Sequence, residues 1–433
     1  VAGAAYGGGV LLLAAAMLGG AVFAAANMRG ERVGIRLLGL LHPAADGLKT
    51  AFKEDIIPLG VDRFMYGLAP WLAFFPALVV LAVIPFGDTL CFATTASGGI
   101  DILGLLDSVP AEGVCTKGAL QLQVADLNVG ILYFFAVAGT GIVGAALAGW
   151  ASDNKYSLLG GLRAASQMVS YEVTLGLTLI GAMMIYGTLQ VDEMVRWQAH
   201  NTWGIFVQPL AFILFFAAAV AESKRIPFDI PEGESELVAG YFTEYCGMKF
   251  AMFMFAEYVA MVSAAAVMAA IFLGGWDVPF LQRDGLHIAF GQTELFSAAL
   301  PHPAVIALGF LAFVLKVLFM CWLQLSIRWT LPRFRYDQVM RLGWRVLLPL
   351  SLGNILVTGF LVLVAQSGSE ALASGLRVTA DLTKGLLALG GLVAAVAMVR
   401  FLLSPPRHRL SNASTSARFA AAAGGTRNAT MGA

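Results

Sequence analysis

The sequence predicts an all-α protein, a polytopic bundle of about nine transmembrane helices. Hydrophobic residues make up 59% of the 433 residues and charged residues make up 12%, which is about half the charged share of a soluble domain. Several apolar runs reach the roughly 20 residues that a helix needs to cross the hydrocarbon core of a bilayer. These long blocks disfavour a transmembrane β-barrel, because barrel strands are short and alternate between apolar and polar residues.

Nine apolar segments are predicted to span the membrane. The first is not preceded by a basic region or followed by a small-residue cleavage site, which favours a span over a secretory signal sequence. We predict that residues 1–403 form one integral membrane domain and that residues 404–433, rich in Ala, Ser, Gly and Arg, form a disordered tail. The segments lie near 8–27, 68–86, 128–150, 168–187, 204–222, 250–275, 303–325, 346–366 and 384–403.

The distribution of Lys and Arg predicts the topology. The loops after the first, third, fifth and seventh segments, together with the C-terminal tail, contain 20 of the 27 basic residues, whereas the other loops contain four. The remaining three lie within or beside the segments. By the positive-inside rule, the N-terminus faces outward, and the loop after the fifth segment and the tail are cytoplasmic. The expected location is the cell inner membrane.

The chain carries no motif for a bound cofactor. It has no Gly-rich phosphate loop, no flavin or nucleotide motif and no nucleophile motif. Its four cysteines are not spaced as metal or cluster ligands. Cys91 and Cys115 lie in a polar loop predicted to face outward, where they either form a disulfide or remain two thiols. We therefore predict no catalytic residue, no metal site and no redox centre in this chain.

The most unusual segment lies between Ala221 and Tyr258. It contains seven carboxylates, in a chain with 27 Asp and Glu in total. An ionised group buried without a partner is costly, so acids that continue into apolar helices indicate charge or proton handling. The seven are Glu222, Asp229, Glu232, Glu234, Glu236, Glu244 and Glu257.

The residue types of this segment predict its chemistry. Pro227 and Pro231 break helices, and an irregular stretch at membrane depth must be buried in protein or line a wet cavity. Glu232 and Glu236 are four residues apart and would share one helix face. Close carboxylates cannot all ionise, so some pKa values in the loop should rise toward neutrality and permit proton exchange. The alternative is a solvated acidic loop that pairs with a basic partner.

Three acids fall within or beside apolar segments. Glu172 is placed near the start of the fourth segment, Glu222 at the end of the fifth and Glu257 within the sixth. We interpret them as functional acids, although each could instead hydrogen-bond a neighbouring helix. Lys316, in the seventh segment, either pairs with an acid or extends its amine to the interface.

Four motifs of the chain resemble those of a known family. They are AESKRIPFDIPEGESELVAGYFTEY, GGLRAASQMVSYE, HPAADGLKTAFKEDIIP and RWTLPRFRYDQVMRLGWRVLLPLSL. The family is the H-type membrane subunit of bacterial NADH–quinone oxidoreductase (respiratory complex I), which is equivalent to mitochondrial NADH dehydrogenase subunit 1. The similarity covers roughly residues 29–350, and related subunits of membrane-bound hydrogenases and F420H2 dehydrogenases share it.

The resemblance implies a core of eight tilted helices that forms part of a quinone-binding chamber and opens an acidic proton path. Quinone would be the substrate, while iron–sulfur clusters and FMN would lie in partner subunits. The implied partners are peripheral-arm subunits, small membrane subunits, antiporter-like subunits and the lipid bilayer, with no nucleic acid. A stand-alone cation/proton transporter is the alternative from another class, but it predicts inverted repeats that the sequence lacks.

Site residues follow by position in the matching motifs. The resemblance implies that Arg225 keeps loop acids ionised until the quinone changes state. Lys224 stands where the family usually has Asn, and the stretch before the ADGLK motif is shorter than usual. The proton path would contain Glu222 and three acids that lie on helices, Glu172, Glu244 and Glu257. The quinone chamber would contain Arg29, Arg32, Arg36, Asp46, Arg225, Asp229, Glu232, Glu234 and Glu236.

Overall fold

The computed structural model describes residues 42–91, 119–231, 233, 238–283, 285–290 and 293–366. The first and ninth predicted spans and the C-terminal tail therefore lie outside the described residues. So do six of the predicted chamber residues and one of the two loop cysteines: Arg29, Arg32, Arg36, Glu232, Glu234, Glu236 and Cys115.

Within these ranges the chain forms eleven helices and five short strands. The helices are α1 (His42–Ala51), α2 (Arg63–Val80, continued by a 3-10 turn at Leu81–Val83), α3 (Gly130–Ala151), α4 (Lys155–Tyr186), α5 (Val191–His200), α6 (Gly204–Val207), α7 (Pro209–Glu222), α8 (Gly247–Phe272), α9 (His302–Thr330), α10 (Tyr336–Arg341) and α11 (Leu348–Gln366). A 3-10 turn at Gly240–Phe242 precedes α8, and a π-helical turn at Leu342–Leu347 joins α10 to α11.

The predicted all-α class is confirmed, and the middle seven predicted spans all correspond to helices. Six helical stretches of the described chain are long and apolar enough to cross a membrane, and α7 is a shorter apolar helix. The helix that contains the fourth predicted span is longer than that span, because α4 begins at Lys155 and not near residue 168. The side chain of Asn154 accepts a hydrogen bond from the Tyr156 amide and caps the helix. Its first turns bury the small residues Ser157, Gly160 and Gly161, whereas Tyr156, Leu158 and Leu159 are exposed.

The strands lie in two of the loops. β1 (Leu90–Cys91) pairs with β2 (Ala119–Leu120), while β3 (Leu281–Gln282), β4 (Gly285–Phe290) and β5 (Thr293–Ala299) form an antiparallel sheet between α8 and α9. Neither pairing was predicted from the sequence, because such short strands give a much weaker signal than the long apolar segments beside them.

Helix α8 lies at the centre of the bundle. In its most apolar stretch 83% of the residues are buried, compared with 17% for the stretch that contains α11. It packs against α2 and α9, while α4 packs against α3, α7 and α11. The buried residues from Ala264 to Ala270 are mostly alanine, which lets neighbouring helices approach closely. A carboxylate on α8 is therefore surrounded by protein.

One end of the bundle is held together by charged loop residues, and we call it the outer end after the orientation that the Lys and Arg distribution predicts. Arg283, after α8, donates two hydrogen bonds to Asp88, after α2, at 2.5 and 2.7 Å. Arg196 on α5 lies 3.6 Å from the same carboxylate. Burial alone would favour the neutral acid, but the hydrogen bond and charge of Arg283 lower the pKa of Asp88. The contribution of this pair to stability is therefore present at neutral pH and is lost as the pH falls through the lowered pKa.

The segments that precede α2, α4 and α8 meet at the opposite end of the bundle, which we call the inner end. Lys249 forms an ion pair with Asp55 at 2.9 Å, and the Asn154 side chain donates to Glu244 Oε1 at 2.7 Å. These contacts join the loops that precede α2, α4 and α8. The described helices thus alternate in direction as the distribution of Lys and Arg predicts.

Close backbone packing at Gly160 sets the position of the turn before α8. A Cβ atom on Gly160 would lie 2.7 Å from the Cα of Gly240, whereas Gly176 on the same helix has open space. We expect Gly160→Ala to force α4 away from this turn, because overpacking costs about 1–3 kcal/mol. The measurement is the thermal midpoint and yield of the purified complex in detergent. Gly176→Ala is the matched control, and equal losses in both variants would contradict the packing argument.

Candidate functional site

The site is built on the irregular segment that follows α7. From Ser223 to Pro231 the described chain has no helix, as Pro227 and Pro231 predict, yet Phe228, Asp229 and Ile230 are buried. Backbone groups buried in this way need partners. The side-chain amide of Gln167 on α4 supplies two bonds, donating to the carbonyls of Ala221 at 2.7 Å and Phe228 at 2.8 Å. Gln167 therefore fixes both ends of the turn.

Glu257 is the central acid of the site. It lies on α8 and is 3% exposed, but two cations from the irregular segment reach it. Lys224 Nζ lies 3.6 Å from Glu257 Oε1, and Arg225 Nη2 lies 3.7 Å from Oε2. The hydroxyl of Tyr241 donates to Oε1 at 3.3 Å. Glu257 is thus a paired carboxylate with polar contacts on both oxygens, which makes its burial tolerable.

Arg225 connects this acid with the predicted chamber residues. Its guanidinium lies over the ring of Tyr258, 4.2 Å from the centroid. Its Nε and Nη2 are buried and make no hydrogen bond within the described part of the chain. Arg225 was expected to keep acids of the loop ionised. Among the described residues, the carboxylate that faces Arg225 instead belongs to Glu257.

Asp229 is held by the C-terminal loop. It is 4% exposed, and Arg333 donates to its Oδ2. The two segments also pair through the Phe334 amide, which donates to the Pro227 carbonyl at 3.0 Å, and through the rings of Phe228 and Phe334. Burial of an ion pair with supporting backbone contacts indicates a fixed arrangement. The loop after α9 is therefore part of the site.

Two further predicted acids, Glu222 and Glu172, lie near each other. Glu222 ends α7 and is close enough to act electrostatically on Glu172 and Lys224. Glu172 was placed near the start of a predicted span, but it lies in the middle of α4, because this helix begins at Lys155. A Cβ on Gly139 would lie 2.8 Å from Glu172 Oε1, so the absence of a side chain there makes room for the carboxyl group.

A small cavity joins Glu222 to Glu257. It lies between α2, α3, α7 and α8 and has a volume of about 70 Å³. A single water needs roughly 10–15 Å³ on the same scale, so there is room for a few waters. The lining is apolar apart from Glu222, Ser223, Lys224, Glu257 and Ser263. These groups can hydrogen-bond water, and a hydrogen-bonded water chain can carry protons between the carboxylates.

Two predicted residues are positioned apart from this group. Asp46 lies exposed on α1, and among the described residues no hydrogen bond or ion pair joins it to Arg225 or Asp229. Glu244 was predicted to lie on a helix, but it lies in the turn before α8. The glycines that bracket this turn, Gly240 and Gly247, both have positive φ and interrupt the helix.

Lys316 lies against the turn that follows α8, where the acid that acts on its charge is Asp277. Its ammonium donates to the carbonyls of Gly275 at 2.9 Å and Asp277 at 2.6 Å, and it lies over the ring of Trp203. Both carbonyls lie in the turn after α8, which ends at Phe272. Lys316 therefore joins this turn to α9.

Sequence reasoning missed three groups of the site. Tyr241 and Gln167 were not singled out, since neither residue type indicates a contact partner without the fold. Lys224 was noted only as a departure from a family motif. The one available signal was that both Lys224 and Tyr241 lie in the same charged segment as Glu257.

Comparisons with known proteins agree on one family. A family model described as NADH dehydrogenase matches residues 9–359. The chain is 46% identical over 324 residues to an H-type subunit of NADH-quinone oxidoreductase from Geobacter sulfurreducens, covering 75% of this chain and 82% of the relative. An H-type subunit from Geobacter metallireducens is 46% identical over 75% of this chain and 83% of its own length. One from Cytophaga hutchinsonii is 41% identical over 75% of this chain and 84% of its own.

Proposed function

This chain belongs to the NADH dehydrogenase family as a membrane subunit of NADH–quinone oxidoreductase, and on that premise we propose that it forms part of the quinone chamber and of the acidic proton path. One observation carries the proposal. Glu257 is buried in the central helix, pairs with two cations of the irregular acidic segment, Lys224 and Arg225, and borders a cavity that has room for water. This arrangement connects a charged surface at the inner end with acids inside the bundle.

The chamber side is formed by the irregular segment and the loops at the inner end. Asp229, Arg333 and Arg225 supply the described charges, and the acids Glu232, Glu234 and Glu236 with the arginines of the first loop complete the set. Electrons arrive from an iron–sulfur cluster in a partner subunit. Quinone reduction takes up protons and changes the charge in the chamber, and Arg225 transmits this change because it is the chamber cation that touches Glu257.

The path side continues into the bundle. From Glu257 the polar groups run through the cavity to Glu222 and then to Glu172 on α4. Each acid is near the next, so a change in ionisation at one alters the proton affinity of its neighbour. This coupling passes the charge change in the chamber toward the antiporter-like subunits, where protons are pumped.

The partners and location follow from the same assignment. The irregular segment and the C-terminal loop face the cytoplasm, since the loops of this set carry most of the basic residues. Peripheral-arm subunits cover the inner end, and small membrane subunits and antiporter-like subunits pack against the helices in the cell inner membrane.

The test is to purify the complex through a tagged copy of this chain in mild detergent. We expect co-purifying subunits with nucleotide, flavin and iron–sulfur sites, together with NADH-driven quinone reduction and proton uptake or release across the membrane of reconstituted vesicles. If the partners instead include a nickel–iron hydrogenase pair or an F420H2-oxidising subunit, the electron donor of the complex is hydrogen or F420H2 and not NADH. A chain that purifies alone and transports cations would overturn the proposal.

A further inference from the structure

Lys224 occupies a constrained position beside the cavity. Its φ of +54° lies in the left-handed region, which a residue other than glycine adopts only when the surrounding structure requires it. The conformation turns the side chain toward α8, where Nζ donates to the Tyr241 hydroxyl at 2.8 Å and lies 3.6 Å from Glu257 Oε1. Lys224 also lines the cavity, as do Glu222 and Glu257.

The second cation of the site, Arg225, is held differently. Its guanidinium is fixed over the ring of Tyr258, and Arg225 does not line the cavity. A guanidinium is planar and stays charged, whereas a lysine ammonium is a compact charge on a flexible stem. Among the described residues that line the cavity, Lys224 is the one with a basic side chain. It can therefore follow a charge that moves across the cavity.

The site has two cations beside one of the acids that border the cavity. Asp229 is paired with Arg333, which leaves Lys224 and Arg225 as the cations next to Glu257, while Glu222 borders the same cavity as Glu257. When one of these two acids is protonated and the other is ionised, a proton can move between them through cavity water, with an O–H bond breaking at the donor and forming at the acceptor. The negative charge then moves in the opposite direction across a mostly apolar space, where an uncompensated charge is costly.

We propose that Lys224 is the mobile counter-ion of this step, and that its ammonium accompanies the negative charge between Glu257 and Glu222. The Tyr241 hydroxyl anchors it on the Glu257 side, since this group accepts from Nζ and donates to the carboxylate. The inference rests on the proposed proton path and adds a positioning residue to it. Lys224 takes no proton from the substrate and touches no redox centre.

The test compares Lys224→Met, which keeps the stem but removes the charge, with Lys224→Arg, which keeps the charge. We expect Lys224→Met to lower the kcat of quinone reduction by about ten-fold or more, because a buried charge loses its partner. The KM for quinone should be unchanged, since the residue acts in the path and not at the substrate. Lys224→Arg should recover part of the turnover. Both are measured per assembled complex in reconstituted vesicles, with proton translocation recorded in parallel.

Lys249→Met is the matched control. Lys249 also pairs with a carboxylate, that of Asp55, and lies 4.9 Å over a tyrosine ring, that of Tyr66, but it does not line the cavity. We expect it to retain native turnover, and an equal loss there would overturn the assignment. Native kcat in Lys224→Met, or equal activity in the Met and Arg variants, would also overturn it. Failure of the proton path itself would instead appear as a fully active Glu257→Gln variant, so the two claims fail separately.

Discussion

Replacement of Glu257 by glutamine is expected to abolish most quinone reduction, by roughly 100-fold or more in turnover per assembled complex. Glutamine keeps the size and some of the hydrogen bonding of glutamate but cannot bind or release a proton. It also leaves two neighbouring cations, Lys224 and Arg225, without the carboxylate that they share. The measurement is quinone-linked turnover together with proton translocation in reconstituted vesicles.

Glu257→Asp should retain part of the activity, because the carboxyl group survives at a shorter reach. A scaffold role predicts the opposite order, with glutamine tolerated and activity following the assembly yield. Glu193→Gln, on the exposed face of α5 at the outer end, makes the same chemical change away from the site and should leave turnover unchanged. Full activity in Glu257→Gln would rule out an obligatory relay at this position.

Replacement of Arg225 by alanine is expected to have the second largest effect. Removing one partner of a buried ion pair costs about 3–5 kcal/mol, and here it also removes the described contact between the predicted chamber residues and Glu257. Quinone reduction should fall by about 100-fold or more. Oxidation of the donor by an artificial acceptor should stay near the native rate, because the redox centres are in other subunits.

Two further variants make this result specific. Arg225→Lys keeps the charge but loses the planar group that stacks on Tyr258, so it should fall between alanine and the native protein. Arg63→Ala removes a guanidinium from an exposed position at the same end of the bundle and should be near native. If both activities of Arg225→Ala fall together, the complex has failed to assemble and the site assignment must be dropped.

The sequence by itself determined the helical class, the family and the positions of the seven predicted spans that fall within the described residues. Length and hydropathy predict transmembrane helices because a bilayer core accepts only backbone that is satisfied within the chain. The asymmetry of Lys and Arg predicted which loops share an end, and the contacts of Asp88 with Arg283 and Arg196 confirm that grouping. Acids in an apolar chain stand out by composition alone, which is why Glu257 and Glu222 were found.

Only the tertiary structure decided which groups meet. The start of α4 depends on the Asn154 cap, so the helix begins well before the predicted span and Glu172 lies in its middle. Lys316 contacts the turn after α8, and the partners of Glu257 are Lys224, Arg225 and Tyr241. Such pairings join residues that are far apart in sequence, or involve adjacent residues whose side chains an irregular turn directs toward particular partners. They depend on how helices pack and where the turn lies, which a pattern of residue types along one chain does not encode locally.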